Sequence, residues 1–234
     1  MAFEGKVALI TGAAGVLGRA VAEAFEALGA SLVLVDRQTE ALTRTFGADH
    51  ERRRLIAVDL LDAQAVLDAV SQAHAQLGRL DVLCNIAGGF TMGEAVHEMS
   101  DATWQRMLDL NVRTMLNASR AVVPLMLAAD SGRVVNVAAH AAQRGGERAG
   151  AYAAAKSAVI RLTESMAAEL RMRGINVNCV LPTILDTPDN RAAMPRADPS
   201  HWVAPAALAD VIVFLASDGA RAMHGAAVPV TGLS

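Results

Sequence analysis

Short, unbroken runs of Val, Leu, Ile and Ala recur along this chain, and longer segments with helical periodicity lie between them. The runs fall at 6–10, 31–35, 54–58, 80–84, 133–138, 175–180 and 227–230. A strand with one wet face alternates apolar and polar residues. One that is apolar throughout is buried on both faces, as in a parallel sheet covered by helices. Helices are expected at 16–28, 38–46, 62–77, 101–127, 150–173 and 205–217, with Gly29 as the C-terminal cap of the first. Parallel strands joined by right-handed crossovers give an α/β fold: a doubly wound parallel sheet of about seven strands with helices on both faces.

The 234 residues carry no internal repeat and no low-complexity linker, so one domain spanning 1–234 is expected. The one irregular stretch is 182–205, where Pro182, Pro188, Pro195, Pro199 and Pro205 forbid a long helix. It follows a late strand, at the carboxyl edge where ligands bind in such sheets. It reads as a lid over a substrate, ahead of a plain surface loop.

Composition removes several function classes. The net charge is −3, which leaves no footprint for a polyanion. The only basic run, Arg52-Arg53-Arg54, reads as a solvated face, and aromatic residues are too few for base-stacking platforms. No nucleic-acid partner is expected. Cys84 and Cys179 each end an apolar run and read as reduced core residues. The six histidines are scattered, without HExxH or CxxC spacing, so no metal site is expected. No apolar stretch suits a membrane span and the N-terminus lacks the layout of a signal peptide, so a cytoplasmic, soluble protein is expected.

Thr11-Gly12-Ala13-Ala14-Gly15-Val16-Leu17-Gly18 follows the first strand and opens the first helix. Glycines let a backbone turn tightly and approach a pyrophosphate, and a helix N-terminus offers unpaired N–H groups and a favourable dipole. Gly12, Ala14, Gly15, Val16, Leu17 and Gly18 are therefore candidate cofactor contacts, against the plainer alternative of a turn that packs helix on strand. Asp36 ends the second strand, where a carboxylate accepts both adenosine ribose hydroxyls and repels a 2′-phosphate, which favours NAD over NADP. Arg37, beside it, can pair with that phosphate and works against this preference. Asp59, followed by Leu60, stands after the third strand, placed for the adenine edge or as the N-cap of helix 62–77.

Tyr152 and Lys156 lie four residues apart in a proline-free run of helix formers, so they share a helix face. A fixed cation beside a phenol favours the phenolate, which makes Tyr152 a candidate acid–base. Such a pair alone is more often plain helix surface.

Taken together, these residues resemble the short-chain dehydrogenase/reductase family over residues 5–232. The glycine loop, Asn85-Ile86-Ala87-Gly88, Asn111, Tyr152-x-x-x-Lys156, and Pro182 with Thr187 occur in the family's order and spacing. The resemblance implies a Rossmann-type domain in which Tyr152 is the acid–base. Lys156 would bind the nicotinamide ribose and lower the tyrosine pKa, and Asn111 would hold a relay water. Asn85, Ala87 and Gly88 would lie near the cofactor, and Pro182, Ile184 and Thr187 near the nicotinamide. It also implies a small-molecule substrate and a homo-oligomer, a tetramer ahead of a dimer, paired through helices 101–127 and 150–173.

Three departures bear on function. Family members carry a serine thirteen residues before the tyrosine, where this chain has Ala139. That hydroxyl helps hold the substrate oxygen, and losing one such donor costs on the order of 10²–10³ in rate. His140 is a neighbouring substitute, and His140, Gln143, Arg144, Glu147 and Arg148 are candidate substrate determinants together with loop 183–203. The glycines are spaced Gly-x-x-Gly-x-x-Gly, and Thr183 replaces the glycine that usually follows Pro182. Dihydropteridine reductases, a branch of the family, lack the serine, share this glycine spacing, prefer NADH and carry Ala-Gly-Gly-aromatic, here Ala87-Gly88-Gly89-Phe90. Segment 180–234 resembles generic bacterial members instead, so a pterin substrate does not follow. The expectation is an NAD(H)-dependent oxidoreductase acting on a small carbonyl, alcohol or conjugated ring. The alternatives are a pterin or quinone reductase, a weakly catalytic or non-catalytic cofactor-binding sensor or scaffold, and a domain binding another nucleotide.

Overall fold

Each apolar run becomes a strand of one sheet. The computed structural model of the chain describes residues 2–233. The strands are β1 (Val7–Thr11), β2 (Ser31–Asp36), β3 (Arg53–Ala57), β4 (Val82–Asn85), β5 (Gly132–Val137), β6 (Ile175–Pro182) and β7 (Ala227–Val230). Their order is β3-β2-β1-β4-β5-β6-β7, and every pair is parallel. The chain winds outward from β1 to β3 and then crosses back to β4, so the switch point lies between β1 and β4. In such sheets that crevice is where a ligand binds.

Every residue of β1 and β6 is buried, whereas the edge strands β3 and β7 are mostly half-buried. The two-residue period of a strand divides the core. Ile10, Leu32 and Leu34 pack with Phe25, Leu208 and Ile212 on one face, against α1 (Val16–Ala27) and α8 (Pro205–Ala216). Leu9, Val33 and Leu83 pack with Val70, Val122 and Met126 on the other, against α3 (Ala63–Leu77) and α5 (Thr114–Ala128). The remaining helices are α2 (Thr39–Phe46), α4 (Asp101–Leu108), α6 (Gly150–Leu170) and α7 (Pro188–Ala193). Cys84 and Cys179 are free and buried, and burial pushes both thiols up, Cys179 to about 11, which makes them poor nucleophiles.

Four local expectations need correction. The helix expected over 101–127 is not continuous: a π-helical segment, Asp109–Arg113, separates α4 from α5. The N-cap of α3 is Asp62, which accepts from the Ala65 N–H at 3.0 Å. Asp59 instead accepts from the Leu61 N–H at 2.9 Å and holds the turn before the cap. The basic run is not simply solvated, since Arg52 donates to the Gly29 and Ala30 carbonyls and Arg53 pairs with Glu26 at 3.5 Å. Stretch 182–205 is not wholly irregular, for it holds α7 and a short 3₁₀ turn, Pro199–His201. Among the described residues no helix is long and apolar enough to cross a membrane.

Candidate active site

At the end of β1 the chain must turn while passing close to the end of β4. The Thr11 hydroxyl accepts from the Ile86 and Ala87 N–H groups at 3.1 and 3.2 Å, tying the two strand ends together. Gly12 adopts φ +64°, and a Cβ there would stand 2.9 Å from the Ala87 backbone. A Cβ on Gly18 would overlap the Gly12 carbonyl oxygen and lie 2.7 Å from Ala13 Cα. Backbone therefore occupies the space that side chains would need. The first turn of α1 carries no acidic residue and no side-chain cap, which leaves its N–H groups and positive dipole end for an anion. Val16 is exposed beside the loop, while Leu17 is buried in the core.

Asp36 is drawn onto this loop, with Oδ2 accepting from the Ala14 N–H at 3.0 Å and Oδ1 from the Arg37 N–H at 2.7 Å. The Arg37 side chain is exposed, with no ion pair among the described residues. Asp59 is exposed beyond β3, and the carbonyl of buried Leu60 accepts from Asn117 Nδ2 at 2.9 Å. A bare-backbone turn, an uncapped helix start and a carboxylate at the second strand end form a cradle that fits a dinucleotide. Among the described residues no cluster of His, Cys, Asp and Glu is arranged to hold a metal ion.

A second cluster forms across the switch point. Asn111 sits in the π-helical segment and is 2% exposed. Its Oδ1 accepts from the Gly89 N–H at 3.1 Å, and its Nδ2 donates to the Gly89 and Met107 carbonyls, both at 3.0 Å. A π-turn inserted in a helix is frequent at functional sites, and here it coincides with this clamp on the loop after β4. A Cβ on Gly88 would stand 2.8 Å from Asn111 Oδ1 and 3.2 Å from Lys156 Nζ. Gly88, Asn111 and Lys156 therefore converge on one point.

Lys156 is 5% exposed, and its Nζ donates to the Val137 carbonyl at 2.8 Å. Burial pushes its ammonium down to about 8. Tyr152, one turn earlier on α6, packs against Phe90 with ring centroids 4.9 Å apart and planes near perpendicular. Burial pushes its phenol up to about 12. This reverses the sign expected from the sequence. Loss of hydration is the cause of this shift, and the neighbouring Lys156 directs its proton at Val137.

Asn85 turns inward. Its Nδ2 donates to Asn136 Oδ1 at 2.9 Å, Asn136 donates to Thr163 Oγ1 at 2.9 Å, and Thr163 donates to the Val159 carbonyl on α6. Its own Oδ1 is buried without a partner among the described residues. The side chain thus braces β4 and β5 against α6 beneath the cleft.

Ala139 is buried at the start of a 3₁₀ turn, His140–Ala142, which Ser157 Oγ ties to α6 through the Ala142 carbonyl at 2.8 Å. His140 is half-buried; Arg144 is exposed, with no ion pair among the described residues. Arg148 adopts φ +57° and donates to the Gly93 carbonyl at 3.0 Å, while the Gly93 N–H donates to the Arg148 carbonyl at 2.8 Å. Pro182 ends β6, Ile184 is partly exposed, and Thr187 Oγ1 accepts from the Asn190 N–H at 3.2 Å as the N-cap of α7. Ties made by Thr11, Asn136 and Arg148 escape a reading of motifs. Only Thr11 carries a local signal, a hydroxyl at the strand end immediately before Gly12.

The sequence profile of the short chain dehydrogenases matches residues 6–197. D-threitol dehydrogenase of Mycolicibacterium smegmatis is 35% identical over 98% of this chain and 92% of its own length. The 3-oxoacyl-acyl-carrier-protein reductase FabG of Escherichia coli is 31% identical over 99% of this chain and 98% of its own. A crystal structure of NAD+-bound xylitol dehydrogenase superposes with a TM-score of 0.91, at 27% identity, over 99% of this chain and 100% of that one. With the parallel sheet, the glycine cradle and the Tyr152–Lys156 helix, these likenesses make the chain a nicotinamide-dependent oxidoreductase that belongs to the short-chain dehydrogenase/reductase family.

Proposed function

We propose that this chain transfers hydride between NAD(H) and a small secondary alcohol or its ketone, with Tyr152 moving the proton. The convergence of Asn111 Oδ1 and Lys156 Nζ on Gly88, one helical turn from Tyr152, carries this reading. The bound nicotinamide supplies or accepts the hydride. The Tyr152 phenol, held protonated by its burial, is loaded as a proton donor at neutral pH, the form that reduction requires. Lys156, pushed to about 8, carries a proton that leaves near physiological pH and offers N–H groups to a ribose. Asn111 has both amide hydrogens engaged with Gly89 and Met107, so it meets a relay water as an acceptor only.

The glycine cradle of Gly12, Ala14, Gly15, Val16, Leu17 and Gly18 takes the pyrophosphate. Asp36 takes the ribose hydroxyls, Asp59 and Leu60 border the adenine, and Ala87, Gly88, Pro182, Ile184 and Thr187 border the nicotinamide. Asp36 favours NAD, since its carboxylate stands at the loop where a 2′-phosphate would meet it. The xylitol dehydrogenase neighbour binds NAD+, and the names of that enzyme and the threitol enzyme support a small polyhydroxy alcohol.

One observation favours a second reading. Ala139 offers no hydroxyl to a substrate oxygen, and Phe90, 60% exposed, stands edge-on to Tyr152. An apolar wall without that donor suits a conjugated ring, such as a quinone or a quinonoid dihydropterin, better than a held carbonyl.

NADH and NADPH consumption against ketones, β-ketoacyl thioesters, quinones and quinonoid dihydropterin, with polyol oxidation in parallel, separates the two. Tyr152→Phe should cut turnover by about 10²–10⁴ while NADH affinity stays within about twofold. Retention of most activity in that variant would remove Tyr152 from the mechanism.

A further inference from the structure

Segment 184–203 borders the proposed nicotinamide end of the cleft, and a chain of its own side-chain bonds closes it. Leu185 pairs with Val203 as an extra parallel bridge, with the Val203 N–H donating to the Ile184 carbonyl and the Asp186 N–H donating to the Val203 carbonyl, both at 2.9 Å. Asp186 then takes both arms of one guanidinium: Arg191 Nε donates to Oδ1 at 2.6 Å and Nη2 to Oδ2 at 2.8 Å. Inside that fork, Thr187 caps Asn190, Asn190 Nδ2 donates to the Leu185 carbonyl at 2.8 Å, and the Arg191 N–H donates to the Thr187 carbonyl at 2.9 Å. The helix so enclosed has six residues, too few to hold together in water without such ties.

We infer that Asp186 and Arg191 are positioning residues: their fork holds Ile184 and Thr187 as a wall built before the cofactor arrives, not as a lid that forms around it. The inference rests on the proposed role of this segment at the nicotinamide end. Thr187 shows how the wall acts. Its oxygen already accepts the Asn190 N–H, so among the described residues its hydroxyl hydrogen is left to donate to a ligand. A donor fixed in this way adds no ordering cost when the ligand binds, whereas a disordered segment weakens apparent affinity by the fraction of time it is unformed. Both charges are set for the task. Mutual hydrogen bonding lowers the Asp186 carboxyl and raises the Arg191 guanidinium, so the pair stays ionised across neutral pH. Arg191 is exposed and Asp186 half-buried at the rim of the segment, so the pair contributes little to global stability. Removing either therefore leaves the fold intact and tests the wall alone.

Amide hydrogen exchange on the full chain, with and without NADH, reads the wall directly. In the wild type the amides of Asp186, Asn190, Arg191 and Val203 should be protected without NADH and change little on its addition. In Asp186→Asn and Arg191→Ala the amides at positions 190 and 191 should exchange about fivefold faster or more, and the Kd for NADH should rise about fivefold. Arg191→Lys, which keeps the charge and loses the fork, should fall between. The double variant should be no worse than the worse single. Wild-type amides that exchange freely until NADH is added would overturn the inference in favour of a closing lid. Unchanged exchange in the variants would overturn it too. If no form binds NADH, the cofactor reading fails, while the exchange of the protein alone still decides the wall.

Discussion

The two ends of the cleft reach a ligand by opposite means. At the β1 end the surface is backbone: Gly12 at φ +64°, Gly18 with no room for a Cβ, and the open start of α1. At the β5–α6 end it is side chain: buried Lys156 and Asn111 meeting over Gly88, with Tyr152 against Phe90. The first surface is backbone, and at Gly12 and Gly18 it leaves no room for a side chain. The second rests on groups brought from far apart in sequence, and its chemistry depends on how deeply they are buried. Position and proton chemistry are thereby separated in the molecule.

Two alanine substitutions test that separation most severely. Gly18→Ala forces a methyl into the Gly12 carbonyl and the Ala13 backbone, neither of which can rotate away. Overpacking of this kind should cost about 3 kcal/mol in urea unfolding and abolish NADH binding. Gly88→Ala comes closer than van der Waals distance to the ends of the Asn111 and Lys156 side chains, while the nearest backbone atom, the Ile86 oxygen, is at an ordinary 3.8 Å. It should cost about 1 kcal/mol or less, yet lower turnover by at least about tenfold through the displaced lysine. Equal stability losses in the two variants would erase the contrast between the ends.

Ala139→Ser probes the other end, where a donor is missing instead of a space. A hydroxyl at this buried position should raise ketone reduction by about 10- to 100-fold if the substrate is a carbonyl compound, the reverse of losing such a donor. Unchanged or lower turnover on every ketone, with activity on a quinone or dihydropterin, would show a pocket shaped for a ring. Steady-state kinetics with NADH decides.

The same contrast explains what the sequence discloses. Apolar runs and glycine spacing are local, so the sheet, its helices and the turn at Gly12 can be read from periodicity and φ requirements. The break at Asn111 cannot, because its clamp is Gly89, 22 residues away. The tie from Thr11 to Ala87 spans 76 residues and leaves no pattern. Asp59 is a plausible cap on paper, and only the position where α3 begins, at Ala63, makes Asp62 the cap instead. The sign of the Tyr152 shift escapes for a related reason: spacing shows that a lysine is near, but the degree of burial decides which influence prevails.

Lys156 gives the most specific effect, because it separates the chemistry of the second end from its packing. Burial lowers its ammonium from 10.5 to about 8. Below pH 8 the lysine is charged in both the folded and unfolded chain, and the fold bears the full cost of burying that charge. Between about pH 8 and 10.5 the folded lysine has lost its proton while the unfolded one keeps it. The unfolded chain then binds more protons, so stability rises with pH across this window. Lys156→Met has no such group. It also leaves the Val137 carbonyl without a donor, a loss of about 1 kcal/mol that does not vary with pH. Tyr152 and the two cysteines shift in the opposite sense above about pH 9, and they are common to both proteins, so the difference between wild type and variant isolates the lysine. Urea unfolding at pH 7.5 and pH 10 should show that difference moving towards the wild type by about 1–3 kcal/mol. A difference that stays flat would mean that Lys156 keeps its proton as easily as in water, and the buried-cation account of this end would fall.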